Sequence, residues 1–501
     1  MSTTAQHRAE IRPALLVSLG ALAALTPFAI DLYLPSLPAL ARDLGSDMRL
    51  AQLSVTLYLA LFAAAQLLLG PLSDLYGRRR LIGGGLALFA LGGLGCALAP
   101  SMALLLFGRA LQAIGGAAIA VTVPALVRDC FERDDYARVM TLVMMVMGLA
   151  PLIAPSLGGL VLLLGSWRWI FATLLGITLV TTLLFLVNVP ETLAAAQRSS
   201  GLIAQLGQYR RILGQRRALA YLFTASASFA GMMAFIVGSP FVYIELHGVS
   251  ATAFGPLFGV NIAAALLVSL LNARLIPRVG AERLLRIGIR LQGLAGLMLL
   301  GLALISDPSL WLLAPIAGLY LGMAGLVMGN AMAGFMADFS ALAGTASAFA
   351  GAVRFGAGAL SGSLISLLHD GSATPLLAAM GVSGVLAVSV YGLGCRAPVA
   401  RLGRASIRLG HDPLKRMHPL ATPTNALKAP LQAWLAERRH ERSGGAEHRT
   451  TLHYAWDASE EVLFIDYSPL LGIDCLHAVS HWASGFVTLR YASRAASRPT
   501  S

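Results

Sequence analysis

No lysine precedes Lys415 in this chain of 501 residues. A GxxxxGK[ST] phosphate loop therefore has no place in the body of the sequence, and none occurs after it, which argues against an ATP-driven machine. Charge is scarce as well: 12% of residues are Asp, Glu, Lys or Arg while 57% are hydrophobic, a balance that excludes an ordinary water-soluble globule and makes lipid the solvent. Cysteine is limited to Cys96, Cys130, Cys395 and Cys475, far apart and without a CxxC pair. Neither a disulfide framework nor a metal site is expected, and the thiols read as small packing residues. No ring of charges or repeated filter loop points to a channel. The net charge of +13 does not call for nucleic acid, because the arginines lie mostly between apolar segments, where they set orientation. No enzyme activity, cofactor or metal is expected.

Apolar stretches of about 20 residues, each enough to cross the hydrocarbon of a bilayer as a helix, recur from Leu15 to about Tyr391. Breaking the chain at charged and Pro/Gly-rich joints gives about twelve spans, beginning near residues 13, 50, 80, 102, 139, 168, 219, 252, 283, 309, 342 and 375. The first, Pro13 to about Leu37, is too long for a signal peptide and has no small-residue cleavage site, so it reads as a retained helix. Arginine is dense at Arg78–Arg80, at Arg128, Arg133 and Arg138, from Arg198 to Arg217, from Arg274 to Arg286 and after Arg396, while the alternate loops carry Arg42, Arg49 and Arg168. The positive-inside bias then places both termini in the cytoplasm.

The long basic joint from Pro190 to Arg217 divides the body into two six-helix halves. Displaced by about 203 positions, the first half weakly matches the second: Gly77 meets Gly280, and Pro155 and Gly159 meet Gly358 and Gly362. Parallel repeats about an axis along the membrane normal, with the substrate site between them, are a transporter architecture. The expected fold is thus an all-α membrane protein of twelve transmembrane helices in two pseudo-symmetric halves, residues 1–189 and 219–395, joined by a central loop, 190–218. Residues 396–501 form a cytoplasmic tail; the piece from Leu452 to Tyr491 has no clear period and reads as either a small folded element or disorder.

Four segments carry the chemistry. Gly70-Pro71-Leu72-Ser73-Asp74-Leu75-Tyr76-Gly77-Arg78-Arg79-Arg80 joins spans two and three, with glycines for close approach and a turn, and Asp74 and Arg78 for a charge lock at helix ends. In span four, Arg109 sits in Phe107-Gly108-Arg109-Ala110-Leu111-Gln112-Ala113-Ile114-Gly115-Gly116-Ala117. A membrane-embedded cation costs on the order of 3 kcal/mol on insertion scales unless it meets water or a partner; the competing reading is an arginine that snorkels to the interface. Span five carries Gly148-Leu149-Ala150-Pro151-Leu152-Ile153-Ala154-Pro155-Ser156-Leu157-Gly158-Gly159, where proline bends the helix and small residues allow tight packing. Span one holds Thr26-Pro27-Phe28-Ala29-Ile30-Asp31-Leu32-Tyr33-Leu34-Pro35-Ser36-Leu37-Pro38.

The first of these segments resembles the cytoplasmic loop signature of the major facilitator superfamily, the second its proton-linked span-four signature, and the third its antiporter signature, with Ala154 standing where a glycine usually precedes the proline. Span one, together with Gly238-Ser239-Pro240-Phe241-Val242-Tyr243-Ile244-Glu245, Ala343-Gly344-Thr345-Ala346-Ser347-Ala348 and Arg354-Phe355-Gly356, resembles the Bcr/CflA drug-resistance family, the bicyclomycin and chloramphenicol exporters. The resemblance covers about residues 13–395 and implies a bacterial inner-membrane antiporter, acting as a monomer, that exchanges protons for drug-like molecules. The alternative is a proton-coupled transporter of a metabolite such as a sugar, amino acid or polyamine.

Asp31 is the only carboxylate within the first-half spans and is the expected proton carrier. Measured along ideal helices, Asp31 and Arg109 lie about 9 and 10 Å from the same membrane surface, so the two are expected to meet; a permanent salt bridge is the structural alternative. Tyr33, Gln112, Asn261, Asn330 and Arg354 are the candidate cavity residues, with Gln292 a further hydrogen-bonding group; the alternative for Arg354 is a lock on backbone carbonyls of a neighbouring helix, and for Gln292 and the asparagines it is interhelical hydrogen bonding. Glu245 reads as a rim residue.

Overall fold

The computed structural model describes residues 13–131, 133–192, 202–305, 308–339 and 342–394, and in the tail 453–457, 462–466, 476–480 and 488–490. The helices are α1 (Pro13–Asp31), α2 (Leu37–Asp43), α3 (Met48–Tyr76), α4 (Arg78–Ala97), α5 (Met102–Cys130), α6 (Arg133–Leu162), α7 (Arg168–Asn188), α8 (Leu202–Leu213), α9 (Arg216–Pro240), α10 (Ala251–Val279), α11 (Ala281–Leu302), α12 (Leu310–Ala337), α13 (Ala343–Leu367) and α14 (Thr374–Gly394). Twelve spans are long and apolar enough to cross a membrane, the first running from Pro13 to Asp43 and the seventh from Arg216 to Leu246. Their starts fall within a few residues of the sequence expectation, because the joints carry caps and glycines. Asp47, Ser101 and Ser250 accept backbone N–H bonds at the starts of α3, α5 and α10, filling donors that a helix start leaves open. At the opposite end Gly77 and Gly280, with φ of 100° and 85°, make the turns into α4 and α11, a backbone that glycine alone adopts freely.

Span one continues past the expected Leu37. Pro35 and Pro38 break it into α1, a 3-10 turn at Leu34–Ser36 and α2, since proline is at home in the first turn of a helix but not in its interior. The central joint also differs from a plain loop. It contains α8, whose Tyr209 donates to the Leu67 carbonyl at 3.0 Å and lies 5.7 Å from the Phe349 ring, so α8 touches both α3 and α13.

The halves meet along two seams, α3 with α13 and α6 with α10. The repeat displacement carries α3 onto α10 and α6 onto α13, so the seams are copies of one another about the pseudo-two-fold axis. Both are made of small residues: a Cβ at Gly362 would lie 2.3 Å from Thr56, one at Gly255 2.4 Å from the Cα of Ser156, and one at Gly159 2.6 Å from the Ala251 carbonyl. Apolar side chains such as Leu179, Leu183 and Leu186 of α7 are exposed on the outer surface, as lipid-facing helices require.

The same displacement matches a second set of joints. Ser18, Arg79 and Asn188 become Tyr221, Glu282 and Tyr391. In the first half Asn188 donates to Ser18 at 3.2 Å and Arg79 to the Leu186 carbonyl at 2.9 Å. In the second, Tyr221 donates to Glu282 at 2.9 Å, and Tyr391 shares the same carboxylate. Equivalent positions tie equivalent helices with different chemistry.

Residues 396–501 form a separate compact unit. Four short antiparallel strands lie within it: β1 (His453–Asp457), β2 (Val462–Asp466), β3 (Leu476–Ser480) and β4 (Thr488–Arg490), in the order β1-β2-β3-β4. The segment that showed no clear period is thus a meander of strands three to five residues long, too short for alternation to stand out.

Candidate functional site

Arg109 leaves α5 into the interior of the first half and is fully buried. Its guanidinium lies 4.5 Å from the Tyr33 ring centre and 4.5 Å from that of Tyr58, held between two aromatic faces by an attraction of about 2 kcal/mol per ring when desolvated. Nη1 donates to the Ala29 carbonyl and to Gln112 Oε1, both at 2.9 Å. The snorkelling alternative is therefore excluded, and so is a position on the rim of an open cavity. Gln112 and Tyr33 are part of this enclosure: Gln112 orients the arginine one turn away on α5, and Tyr33 packs under it, 3.1 Å from the Ser54 hydroxyl.

Glycines create the room. A Cβ at Gly116 would stand 2.6 Å from the Tyr58 hydroxyl and 3.1 Å from Thr26 Oγ1, and the α4–α5 contact is backbone to backbone where Gly85 and Gly92 face Gly115 and Gly108. Both pairs are spaced by seven residues, two helical turns, so each presents one smooth stripe. That spacing was readable in the sequence.

Asp31, the last residue of α1, is 2% exposed, and its Oδ1 has no hydrogen-bond partner. The expected meeting with Arg109 does not occur: among the described residues no ion pair joins them, and Arg109 reaches the carbonyl two residues earlier instead. Helical phase is the reason. Thr26, Ala29 and Tyr33 share the face of span one that looks at α5, and Asp31 is displaced by about 200° from Ala29 at 100° per residue. Depth along the helix places two residues at one level without bringing their side chains together.

The second-half candidates separate. Asn330 on α12 exchanges hydrogen bonds of 2.9 and 3.4 Å with Asn272 on α10, an interhelical clasp within one half. Asn261 donates to the Tyr243 hydroxyl at 3.2 Å and is also buried among second-half helices. Gln292 accepts from Ser228 at 2.8 Å. Arg354 on α13 lies at the junction of the halves, its Cζ 5.3 Å from the Phe229 ring of α9 and 5.7 Å from that of Phe355. Phe355 in turn stacks edge-on against Phe62 of α3 at 4.6 Å.

The loop between α3 and α4 is locked, with partners the sequence did not single out. Arg78, 4% exposed, is bonded through Nε to Asp129 at the end of α5 at 3.1 Å and through Nη1 to Ser73 at 2.8 Å. Glu191, after α7, accepts from the backbone N–H groups of Arg78 and Arg79 at 3.1 and 3.3 Å, an anion seated on the start of α4. The side chain of Asp74 lies outside the described residues. Glu191 stands alone after its span and Asp129 heads a charged stretch with Glu132, Asp134 and Asp135, but nothing in either local pattern named a partner more than fifty positions away.

At the end of the bundle where α2 stops, the halves are joined across the axis. Arg42 lies 3.9 Å from Glu245, with 74% and 38% of their side chains exposed; the repeat displacement carries one of these positions onto the other. Glu245 is the rim residue expected of it. Arg49 donates to the His369 carbonyl at 3.1 Å, again bridging the halves. At Gly158, whose Cβ would lie 1.8 Å from the Leu32 carbonyl, the turn after α1 seats on α6.

Comparison with known proteins agrees with this architecture. The family model described as Major Facilitator Superfamily matches residues 19–362. A bicyclomycin resistance protein homolog of Haemophilus influenzae is 35% identical over 379 residues, covering 75% of this chain and 94% of the relative. A chloramphenicol resistance protein of Pseudomonas aeruginosa is 32% identical over 387 residues, covering 74% and 87%. Among solved structures, a D-xylose-proton symporter superposes with a TM-score of 0.63 at 14% identity, covering 75% of this chain and 97% of its own, a likeness of fold alone.

Proposed function

This chain belongs to the Major Facilitator Superfamily, beside relatives of the Bcr/CflA drug-resistance type, and from that premise we propose a proton-coupled antiporter that exports drug-like small molecules from bacteria by alternating access. Export proceeds across the inner membrane with both termini in the cytoplasm, the orientation favoured by the arginine distribution. The end closed by Arg42 and Glu245 then faces the periplasm. One chain supplies both halves of the transport path, so the working unit is a monomer of four parts: 1–189, the joint 190–218, 219–395, and the tail 396–501.

The observation that carries the reading is the arrangement around α1. Asp31 is enclosed with an unpartnered oxygen, so nothing in this state requires it to be ionised, while Arg109 is pinned two residues away on the Ala29 carbonyl. A carrier needs one state in which its carboxyl holds a proton and another in which it releases it. Burial disfavours the carboxylate, and an opposite charge favours it. Rotation or unwinding at the α1 break, where Pro35 already interrupts the span, brings Asp31 toward Arg109 and expels the proton; the return move separates them. Arg109 stays in its aromatic enclosure throughout.

Asp31→Asn tests this. In inverted vesicles energised by acidification of the lumen, the variant binds drug with no dependence on pH and fails to accumulate it. Uphill accumulation by Asp31→Asn in response to a pH gradient would place coupling elsewhere.

A further inference from the structure

Three charged side chains lie deep within the described spans and away from the lipid face: Asp31, Arg109 and Arg354. Arg109 is held through Nη1 by its carbonyl and its glutamine and lies 4.5 Å from each of two rings, although its Nε and Nη2 have no acceptor. Arg354 is held less: among the described residues it has no carboxylate partner, its Nε has no hydrogen-bond acceptor, its two rings lie farther off at 5.3 and 5.7 Å, and it retains part of its surface. A membrane-embedded cation without a partner is costly and marks a site that something else completes.

Its position in the bundle says where. Gly351, Arg354, Gly358 and Gly362 recur at steps of three and four residues and so line one face of α13. That face is packed inward: Cβ atoms at Gly351, Gly358 and Gly362 would lie 2.1 Å from Gln66 of α3, 2.7 Å from Met233 of α9 and 2.3 Å from Thr56 of α3. Arg354 therefore points between α3 of one half and α9 of the other, on the seam that alternating access must open. Aromatic surface surrounds it, with Phe229 5.0 Å from Phe355 and Phe355 4.6 Å from Phe62. Further unpartnered polar groups stand one turn away along the neighbouring elements: Nε2 of Gln66, whose Oε1 faces Gly351, and Ser226 Oγ, one turn before Phe229.

We propose that Arg354, framed by Phe62, Phe229 and Phe355, is the polar end of the substrate site and selects molecules that pair an aromatic or apolar body with an electron-rich oxygen acceptor, such as a nitro, carbonyl or carboxylate group, over lipophilic cations. This rests on the exporter reading and narrows its substrate class. The guanidinium is a planar fork of donors that suits two oxygens on one centre, the rings take the apolar body, and Gln66 and Ser226 add adjustable donors. A cationic compound meets like charge in a low-dielectric seam, where repulsion is poorly screened.

The test is equilibrium binding to the purified full chain in lipid nanodiscs, with chloramphenicol as a neutral probe bearing nitro and amide oxygens and ethidium as a permanent cation. The wild type binds chloramphenicol more tightly than ethidium. Arg354→Gln weakens chloramphenicol at least about tenfold, the scale of a lost charge-assisted hydrogen bond, and strengthens ethidium. Arg354→Lys, which keeps the charge and loses the fork, falls between for chloramphenicol and still disfavours ethidium; it carries the test should the glutamine variant not fold. Parallel weakening of both probes, or no change in either, overturns the inference. Loss of proton exchange for every drug in inverted vesicles, with this binding selectivity intact, would instead refute the exporter reading and leave the site standing.

Discussion

Arg109 shows how one side chain is made tolerable inside a bilayer. The insertion cost of a few kcal/mol is offset by two ring faces and two acceptors, each specific to a planar guanidinium. Arg109→Ala leaves Tyr33 and Tyr58 facing a void and abolishes coupled export. Arg109→Lys retains the charge but can neither stack flat between the rings nor satisfy both acceptors with the same geometry, so it keeps a fraction of the drug-driven proton release of the wild type. The measurement is proton release on drug addition in inverted vesicles, with membrane insertion checked by blot. Wild-type release by Arg109→Ala would remove the arginine from coupling.

Among the elements, the α4–α5 contact holds that enclosure together. Gly115 has no room for a methyl: its Cβ would fall 2.4 Å from the Gly85 carbonyl and 2.7 Å from the Phe89 amide nitrogen, and backbone cannot swing aside as a side chain can. Gly115→Ala forces the two helices apart at a cost of about 1–3 kcal/mol, read as a lowered Tm in detergent, and loosens Arg109 with it, so export falls together with stability. Gly84, whose Cβ would meet nothing within 4 Å, is the control: Gly84→Ala leaves Tm unchanged or raises it, since alanine favours a helix by about 1 kcal/mol over glycine. Equal effects at the two positions would show that helix propensity, and not the close approach, governs this pair.

For the whole molecule, the closed end is held mainly by packing. Arg42 and Glu245 are exposed, and a pair of that kind contributes at most about 1 kcal/mol; the close approach of Gly159 to the Ala251 carbonyl and of Gly255 to the Ser156 backbone, both across the halves, does more to shut it. The pair nevertheless marks where the halves must part. In a background lacking the native cysteines, Arg42→Cys with Glu245→Cys, bridged by a short bifunctional thiol reagent, halts export, and a reducible bridge restores it on reduction. Full export with the bridge in place would mean that this end does not open. The tail is a compact unit of its own, and truncation after about residue 400 is predicted to leave export intact; a truncated protein that inserts normally yet exports nothing would show otherwise.

Hydropathy, caps and glycine turns along the chain were enough to determine twelve spans, their joints and the repeat, because burial in lipid and helix ends are local requirements that each segment meets by itself. The need for charges in the membrane was legible too, at Asp31, Arg109 and Arg354. Which side chains meet was decided only by tertiary structure. Asp31 and Arg109 share a level but not a helical phase; Arg78 found Asp129 and Glu191 across long stretches of chain; Asn330 turned to Asn272; Arg354 came to the seam between the halves. A helix fixes where a residue lies along its axis, but the rotation of that helix against its neighbours is set by the packing of every small residue on its face, and so by the whole bundle.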